Sequence, residues 1–339
     1  MSKITEKFRS KKKQSQRITD ANIEERREEV IARGKKFKYP FQYAKHRLVI
    51  ITVIIGVVAL ATFSIFGWLQ LYKFQNMSDI VYRFTKVIPM PVAEVDGAQV
   101  RYSDYLMLYR SSIQAIENQQ GKLTDSEEDT LVKNQYKRQA LDSAIQYAYA
   151  LKLADELDIK ITDEQVEEVA REHRTVDGVE RSDSAFQEII FHNFGLSVNE
   201  YKRLLMLSLA KKEVSERIDT NATDLTKEVE KALATNNNDF AATAEEISNE
   251  NVMVEETGGM VDSMNLDGGR ATVAATLDKG AVSDPFVSKN GDGFYIVKLI
   301  DKSDTQVNYV SIFIRFTEFD NRIKAFAEDD KIHEYIKVD

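Results

Sequence analysis

The amino-acid sequence predicts a single transmembrane helix followed by a mainly helical domain and an α+β domain with a small antiparallel sheet. Three observations predict it. Residues 48–72 read LVIITVIIGVVALATFSIFGWLQLY, without one charged side chain. Residues 79–219 carry helix-cap signals separated by apolar periodicity, and the stretch from Gly258 onward mixes paired glycines with alternating β-branched and aromatic residues.

The uncharged run comes first. Its 25 residues reach about 37 Å at helical rise, enough to cross a hydrocarbon core of roughly 30 Å with tilt. A cleaved signal peptide is the competing reading, but the run exceeds an h-region of about 7 to 15 residues, and no small-x-small site follows in Gln70, Leu71, Tyr72, Lys73 and Phe74. Trp68 and Tyr72 stand where an aromatic belt lies. Arg33, Lys35, Lys36, Lys38, Lys45 and Arg47 precede the span without an acidic residue among them, whereas only Lys73, Arg83 and Lys86 follow it within twenty residues. The positive-inside bias therefore puts the N-terminus in the cytoplasm and the rest outside the cell membrane. Residues 1–47 carry a net +9, so with −9 for the whole chain the remainder carries −18. Such a tail is expected to lie along anionic lipid headgroups. A nucleic-acid arm is the alternative for the tail, while the acidic outer part suits no nucleic acid.

The chain has no cysteine, which excludes disulfides, thiolate metal sites and a lipidated-cysteine anchor. The outer part must hold together by its core alone. It divides at the polar stretch DTNATD, residues 219–224, into an expected helical domain, 79–219, and an α+β domain, 220–339.

In the helical domain, a short β-like segment from Pro91 ends in Asp96-Gly97, and a helix is expected from Ser103 as N-cap. Capping boxes are read at Thr124 with Glu127, Thr162 with Gln165, Ser184 with Gln187 and Ser197 with Glu200. Leu141, Ala144, Ile145, Ala148, Leu151 and Leu157 form the seam of a buried helix. The helix over 198–217 places Tyr201, Leu204, Leu205, Leu207, Leu209 and Val214 along a wide apolar face, read as core or as a groove for unfolded clients.

The ordered set Val92 to Gly97, Ala140 to Ile145, Leu157 to Val166 and Phe186 to Asn199 resembles the chaperone core of the SurA, PrsA and PpiD group of extracytoplasmic foldases. The resemblance implies a helical chaperone domain that cradles unfolded secretory polypeptides, commonly followed by a parvulin-type prolyl isomerase domain. A stretch similar to a parvulin does follow: Asp239 to Ser248 resembles its second helix, Gly258-Gly259 its paired glycines, Asp278 to Phe286 its turn and strand, and Gly291 to Leu299 its last strand. An unrelated α+β domain with glycine-rich hairpins is the alternative.

The departures from that family bear on activity. Parvulins place one histidine on the first strand, another on the last, and a Met or Phe that holds the proline ring. Here the last-strand histidine position falls on Tyr295 and the pocket aromatic near Ala275. The first strand is missing from its place before the domain. A β-branched and aromatic run, residues 307–316, stands after the domain instead, which fits a circularly permuted domain with Ser311 at the other histidine position. Such a degenerate domain is expected to be inactive. Isomerisation lowers a barrier of about 18 to 20 kcal/mol by holding a twisted amide in a shaped apolar pocket, and that pocket has lost its aromatic. Candidate client-binding residues are Met260, Met264, Phe286, Tyr201 and Leu205.

Other chemistry finds little support. His46, His173, His192 and His333 lack metal-ligand spacing, no cofactor motif is present, and Asn221-Ala222-Thr223 is a bare glycosylation sequon. The expectation is a membrane-anchored holdase for unfolded or secreted polypeptides. A tethered prolyl isomerase and an envelope scaffold without chaperone action are the alternatives.

Overall fold

The computed structural model describes residues 20–38, 40–176 and 178–338, so the basic residues before Asp20 lie outside the described residues. Two compact units are separated at Leu69 and Gln70.

The first unit contains α1 (Asp20–Lys38) and α2 (Pro40–Trp68). Within it, residues from His46 form the start of a helix, His46–Lys73, long and apolar enough to cross a membrane. Its two threonines are satisfied within the helix: Thr52 donates to the carbonyl of Leu48 at 2.9 Å and Thr62 to that of Val58 at 2.8 Å. Internal satisfaction of this kind is what an apolar solvent demands.

The second unit opens with the last residues of a π-helical turn (Leu69–Lys73) and α3 (Asp79–Val87). β1 (Pro91–Val95) and β2 (Ala98–Arg101) form a hairpin across Asp96 and Gly97, both at positive φ, as a tight two-residue turn requires. Then come α4 (Tyr102–Gln120), α5 (Glu127–Glu156), α6 (Asp163–Arg174), the short hairpin β3 (Thr175–Val176) and β4 (Val179–Glu180), α7 (Asp183–Phe194) and α8 (Val198–Ile218). They enclose one apolar core that includes Tyr102, Tyr105, Leu106, Leu141, Leu196 and Leu207.

Capping chemistry sets most helix starts, though not always where the sequence motif suggests. Thr162 with Gln165 and Ser197 with Glu200 form complete capping boxes. The other three expected starts shift. α4 begins at Tyr102, with Ser103 already inside the helix, because the β2 strand runs straight into it. α5 is capped by Ser126, which accepts from the amide of Asp129 at 3.1 Å, while Thr124 donates to the Asp129 carboxylate. α7 is capped by Ser182 rather than Ser184. In each case a neighbouring residue holds the extended backbone that an N-cap needs. Leu157, expected in the buried seam, is the C-cap of α5 and is exposed.

The polar stretch after Ile218 is not a linker. Asp219 is buried, and its Oδ1 accepts the amide of Ala222 at 2.9 Å, starting α9 (Thr220–Thr235) directly. Its Oδ2 accepts the amides of Thr317 at 2.6 Å and Glu318 at 3.0 Å, the first turn of a second helix far along the chain. One carboxylate thus caps two helices and satisfies three orphan amides.

The remaining elements are α10 (Phe240–Ile247), β5 (Val252–Glu256), β6 (Val261–Asp262), α11 (Arg270–Thr276), β7 (Phe286–Val287), β8 (Gly293–Lys302), β9 (Gln306–Arg315), α12 (Glu318–Glu328) and β10 (Ile332–Glu334). The main sheet has the order β5-β9-β8-β7, with β6 also on β9, and every pairing is antiparallel. The run after the last expected parvulin strand therefore does pair antiparallel with it. Both faces of β8 are covered. Ile296, Ile312 and Ile314 pack under α9 and α10, and Val297, Leu299 and Tyr309 pack under α11.

The expected α+β span 220–339 runs past the sheet's own cores. Phe319 and Phe326 of α12 pack on Tyr149 of α5 at ring separations of 5.5 and 5.0 Å, and β10 pairs with β1. Arg138 of α5 donates to Glu334 at 2.9 Å. The C-terminal segment completes the helical core, and the sheet region is an insertion between α8 and α12.

Candidate functional site

Tyr295 and Ser311, the two positions read as replaced histidines, lie on one face of the β8–β9 hairpin. The register pairs Tyr295 with Phe313 and Val297 with Ser311, and cross-strand partners share a face. Both are buried, and the Tyr295 ring stacks on Phe313 at 4.9 Å. Phe286 leans against Tyr295 from β7 at 6.1 Å, and Ala275 packs on the same small core. The structure thus brings Tyr295, Ser311 and Phe286 to one place, while Ala275 packs under the neighbouring Val297, Leu299 and Tyr309.

Arg270, which sequence reading does not single out, fills that place. Its guanidinium lies 4.6 Å from the centre of the Tyr295 ring, and its Nη1 is 3.4 Å from the Ser311 hydroxyl. It is ion-paired with Glu255 on β5, and its Nε donates to the carbonyl of Asp267 at 2.9 Å. The Asp267 carboxylate accepts from the Tyr309 hydroxyl at 2.6 Å and from the amide of Ala271 at 3.1 Å. Ser311 donates onward to the carbonyl of Glu255 at 3.3 Å.

Local backbone geometry makes this possible. Gly268 and Gly269 both adopt positive φ, and a Cβ on Gly268 would stand 2.8 Å from the Ser288 hydroxyl and 3.1 Å from the Tyr295 ring. The Gly-Gly pair before Arg270 was the available sequence signal. Burial, then nearby Asp292, push the Tyr295 hydroxyl up to about 12. Burial opposes the charge on Arg270, but Tyr295, Tyr309 and Glu255 more than offset it, so its pKa lies above the ordinary value. The face therefore holds a neutral phenol and a fixed cation. The cation lies over the aromatic face of Tyr295, paired with the Glu255 carboxylate and hydrogen-bonded to the Asp267 carbonyl.

The other predicted contact residues divide. Met260 and Met264 are exposed in the loop that leads to α11, beside Leu266, which is 96% exposed. Tyr201 and Leu205 are buried in the helical core and offer no surface to a client. Tyr201 stacks on Phe194 at 5.6 Å and its hydroxyl meets His173 Nδ1 at 2.7 Å, so the wide apolar face of α8 is spent on packing.

A cleft of about 470 Å³ opens where α8, the β7–β8 turn and α12 meet. Tyr147, Lys211, Phe313, Arg315, Phe316 and Phe319 are among its walls, with Asp292 and Asp320 also present. Lys211 donates to Gln146 at 2.7 Å and lies 5.3 Å from the Phe319 ring, and burial lowers its pKa. Its walls mix four aromatic rings with polar and charged side chains, among them Ser208, Lys212 and Asn290, so the cleft offers both ring contacts and hydrogen-bond partners. Among the described residues, no group of three or more His, Asp or Glu side chains could hold a metal ion.

A helical core that carries an inserted antiparallel sheet is the architecture on which two family matches fall. The chain belongs to the SurA-like N-terminal domain family, whose profile matches residues 41–215. Residues 205–301 match the PPIC-type PPIASE domain, so the protein stands with the SurA, PrsA and PpiD-like proteins. That second match ends before β9, the strand that completes the sheet. No curated protein matches the chain. The SurA-like domain implies binding of unfolded polypeptides.

Proposed function

We propose that the protein is a membrane-anchored extracytoplasmic holdase whose parvulin-type domain no longer isomerises proline. The observation that carries this reading is Arg270, held over Tyr295 and against Ser311 where a proline ring would have to sit. In this reading the apolar helix from His46 anchors the chain, the N-terminus is cytoplasmic, and the basic residues before the span lie against anionic headgroups. The helical domain begins near residue 79 and the sheet domain near 220. The cleft beside Phe313, Phe316 and Phe319 takes extended client segments, and Met260 and Met264 add a flexible apolar rim. Binding is weak and sequence-tolerant, and anchoring raises the effective concentration of emerging clients.

The PPIC-type match favours a second reading, a tethered prolyl isomerase. One preparation separates the two. The full-length protein in lipid nanodiscs is assayed for suppression of aggregation of an unfolded client and for acceleration of a proline-limited refolding phase. Suppression without acceleration is the expected result. Acceleration that is lost in Ser311→Ala would establish the isomerase, and neither effect would leave an envelope scaffold.

A further inference from the structure

The short helix α3 keeps two large aliphatic side chains out of the core. At 100° per residue, Ile80, Arg83 and Val87 fall on one face and Tyr82 and Thr85 on the opposite one. Tyr82 and Thr85 are buried, and Val81 and Phe84 pack beside them on the helical core. Ile80 and Val87 are left 80% and 81% exposed, among the exposed Asp79, Arg83 and Lys86.

The rotation of α3 is firmly held. Tyr82 donates to Glu200 at 2.7 Å, and Lys86 reaches the same carboxylate at 3.0 Å. The Thr85 hydroxyl is satisfied by the carbonyl of Tyr82, and Arg110 lies over the Tyr82 ring at 5.0 Å while pairing with Asp79. These contacts fix the rotation of α3, so Ile80 and Val87 cannot turn inward without breaking them. Phe74, just before the helix, and Ile88, just after it, are exposed as well. Among the described residues Arg83 makes no ion pair, and Lys73 stands over the Phe74 ring at 5.9 Å.

What covers this surface follows from the chain. Leu71, near the end of the apolar segment, is already buried in the core on which α3 packs, and Tyr72 donates to the carbonyl of Pro91 at 2.7 Å. Ten residues from Leu69 to Asp79 span at most about 36 Å, so the start of α3 stays within reach of the surface where the apolar helix leaves the bilayer. Apolar side chains interspersed with Lys and Arg, on a helix lying beside a bilayer, match the boundary between headgroups and acyl chains.

We infer that α3 is an interfacial helix: Phe74, Ile80, Val87 and Ile88 seat in the outer boundary of the same membrane, with Lys73 and Arg83 at its phosphates. This rests on the proposed membrane anchor. It turns a tether into a seated body, because a helix fixed to the core by Glu200 and Arg110 and to the bilayer by its apolar face limits how the whole folded unit can tumble.

The absence of cysteine gives a clean background for the test. Single variants Ile80→Cys, Val87→Cys, Leu131→Cys and Val57→Cys of the full-length protein carry an environment-sensitive fluorophore. They are reconstituted in phosphatidylcholine nanodiscs with and without phosphatidylglycerol, and spin-labelled lipids act as depth-graded quenchers. All four positions are exposed, so the substitutions leave the packing intact. Labels at 80 and 87 are expected to be quenched by headgroup-depth lipids at least about twofold more than the label at 131, and more strongly with the anionic lipid. The label at 57 reports the anchor separately. Deep quenching at 57 with water-like signals at 80 and 87 overturns the interfacial helix and leaves the anchor standing, whereas a water-like signal at 57 overturns both. Shielding at 80 and 87 that no lipid quencher reaches also overturns it. Shielding that grows with protein concentration would assign the face to a second copy, and shielding seen only with unfolded client would assign it to clients.

Discussion

The two faces of the β8–β9 hairpin are built from the same two strands and have opposite characters. Under α9 and α10 lie Ile296, Ile312 and Ile314, aliphatic and fully enclosed. Under α11 lie Tyr295, Ser311 and Tyr309 around an ionised Arg270. The first face gains its stability from area removed from water, which is non-directional and tolerant of detail. The second is a satisfied polar network, in which each group depends on its partners. The aliphatic face keeps the sheet folded, and the polar face is the one on which the proposed loss of isomerase activity rests.

The largest test falls on the aliphatic face. Ile312→Ala removes a side chain with no exposure and leaves a cavity between two helices and the sheet, at a cost of about 4 kcal/mol. Denaturant unfolding of the variant should show a lower midpoint. A shift under about 1 kcal/mol would mean that the face collapses to fill the gap, and that the contrast between the faces is weaker than their chemistry suggests.

Next comes the residue that seats the cover of that face. Asp219→Ala leaves the amides of Ala222, Thr317 and Glu318 without their acceptor in a buried setting, for a loss of about 3 kcal/mol. Because α9 covers the sheet and α12 packs on the helical core, hydrogen exchange should quicken in both helices. Faster exchange in α9 alone would show that α12 is held by Phe319 and Phe326 without the cap.

How much of this was legible in the sequence follows from the range of each interaction. The apolar helix, the capping boxes at Thr162 and Ser197, and the strand after the last parvulin-like strand are all encoded within a few neighbouring residues. Asp219 was visible only as part of a polar stretch, since its second helix lies about a hundred residues away in sequence. The return of β10 to β1 was hidden for the same reason. Ile332, His333 and Glu334 give too short a run to stand out, and their pairing with β1 is entirely non-local. At the candidate site, Tyr295, Ser311 and Ala275 were readable as departures from a family pattern, and Phe286 as part of the stretch that matches it. Arg270 was not, because its significance depends on Glu255, Asp267 and Tyr295, which the fold alone brings together.

On the polar face the effects are smaller. Arg270→Met removes one ion pair with a partly exposed Glu255, one ring contact and the hydrogen bonds to the Asp267 carbonyl and the Ser311 hydroxyl, while its methylenes are largely replaced. The expected loss is about 1 kcal/mol. The same variant probes function, since it takes the charge away from Tyr295 and Ser311. Refolding assays should show client binding unchanged. Loss of binding would place clients at Arg270 rather than in the cleft beside Phe313 and Phe319.

The smallest expected effect at neutral pH is that of Tyr295→Phe, which keeps the ring that stacks on Phe313 and faces Arg270 and removes only the hydroxyl. Stability at pH 7 should change by less than about 0.5 kcal/mol. Alkaline pH separates variant from parent. The Tyr295 hydroxyl has its folded pKa raised from 10.0 to about 12, so the folded state holds a proton that the unfolded chain gives up first. Its contribution is complete below pH 10 and is lost as pH rises through 12, a difference of about 2 kcal/mol between the two limits. Tyr295→Phe lacks that loss and should unfold at a higher pH than the parent, with the remaining alkaline slope set by Tyr102, Tyr105 and other buried phenols. Coincident alkaline unfolding curves would mean that the phenol is already solvated in the folded protein. In that case the face under α11 is open enough to admit water, and the reading of Arg270 as a plug would lose its main support.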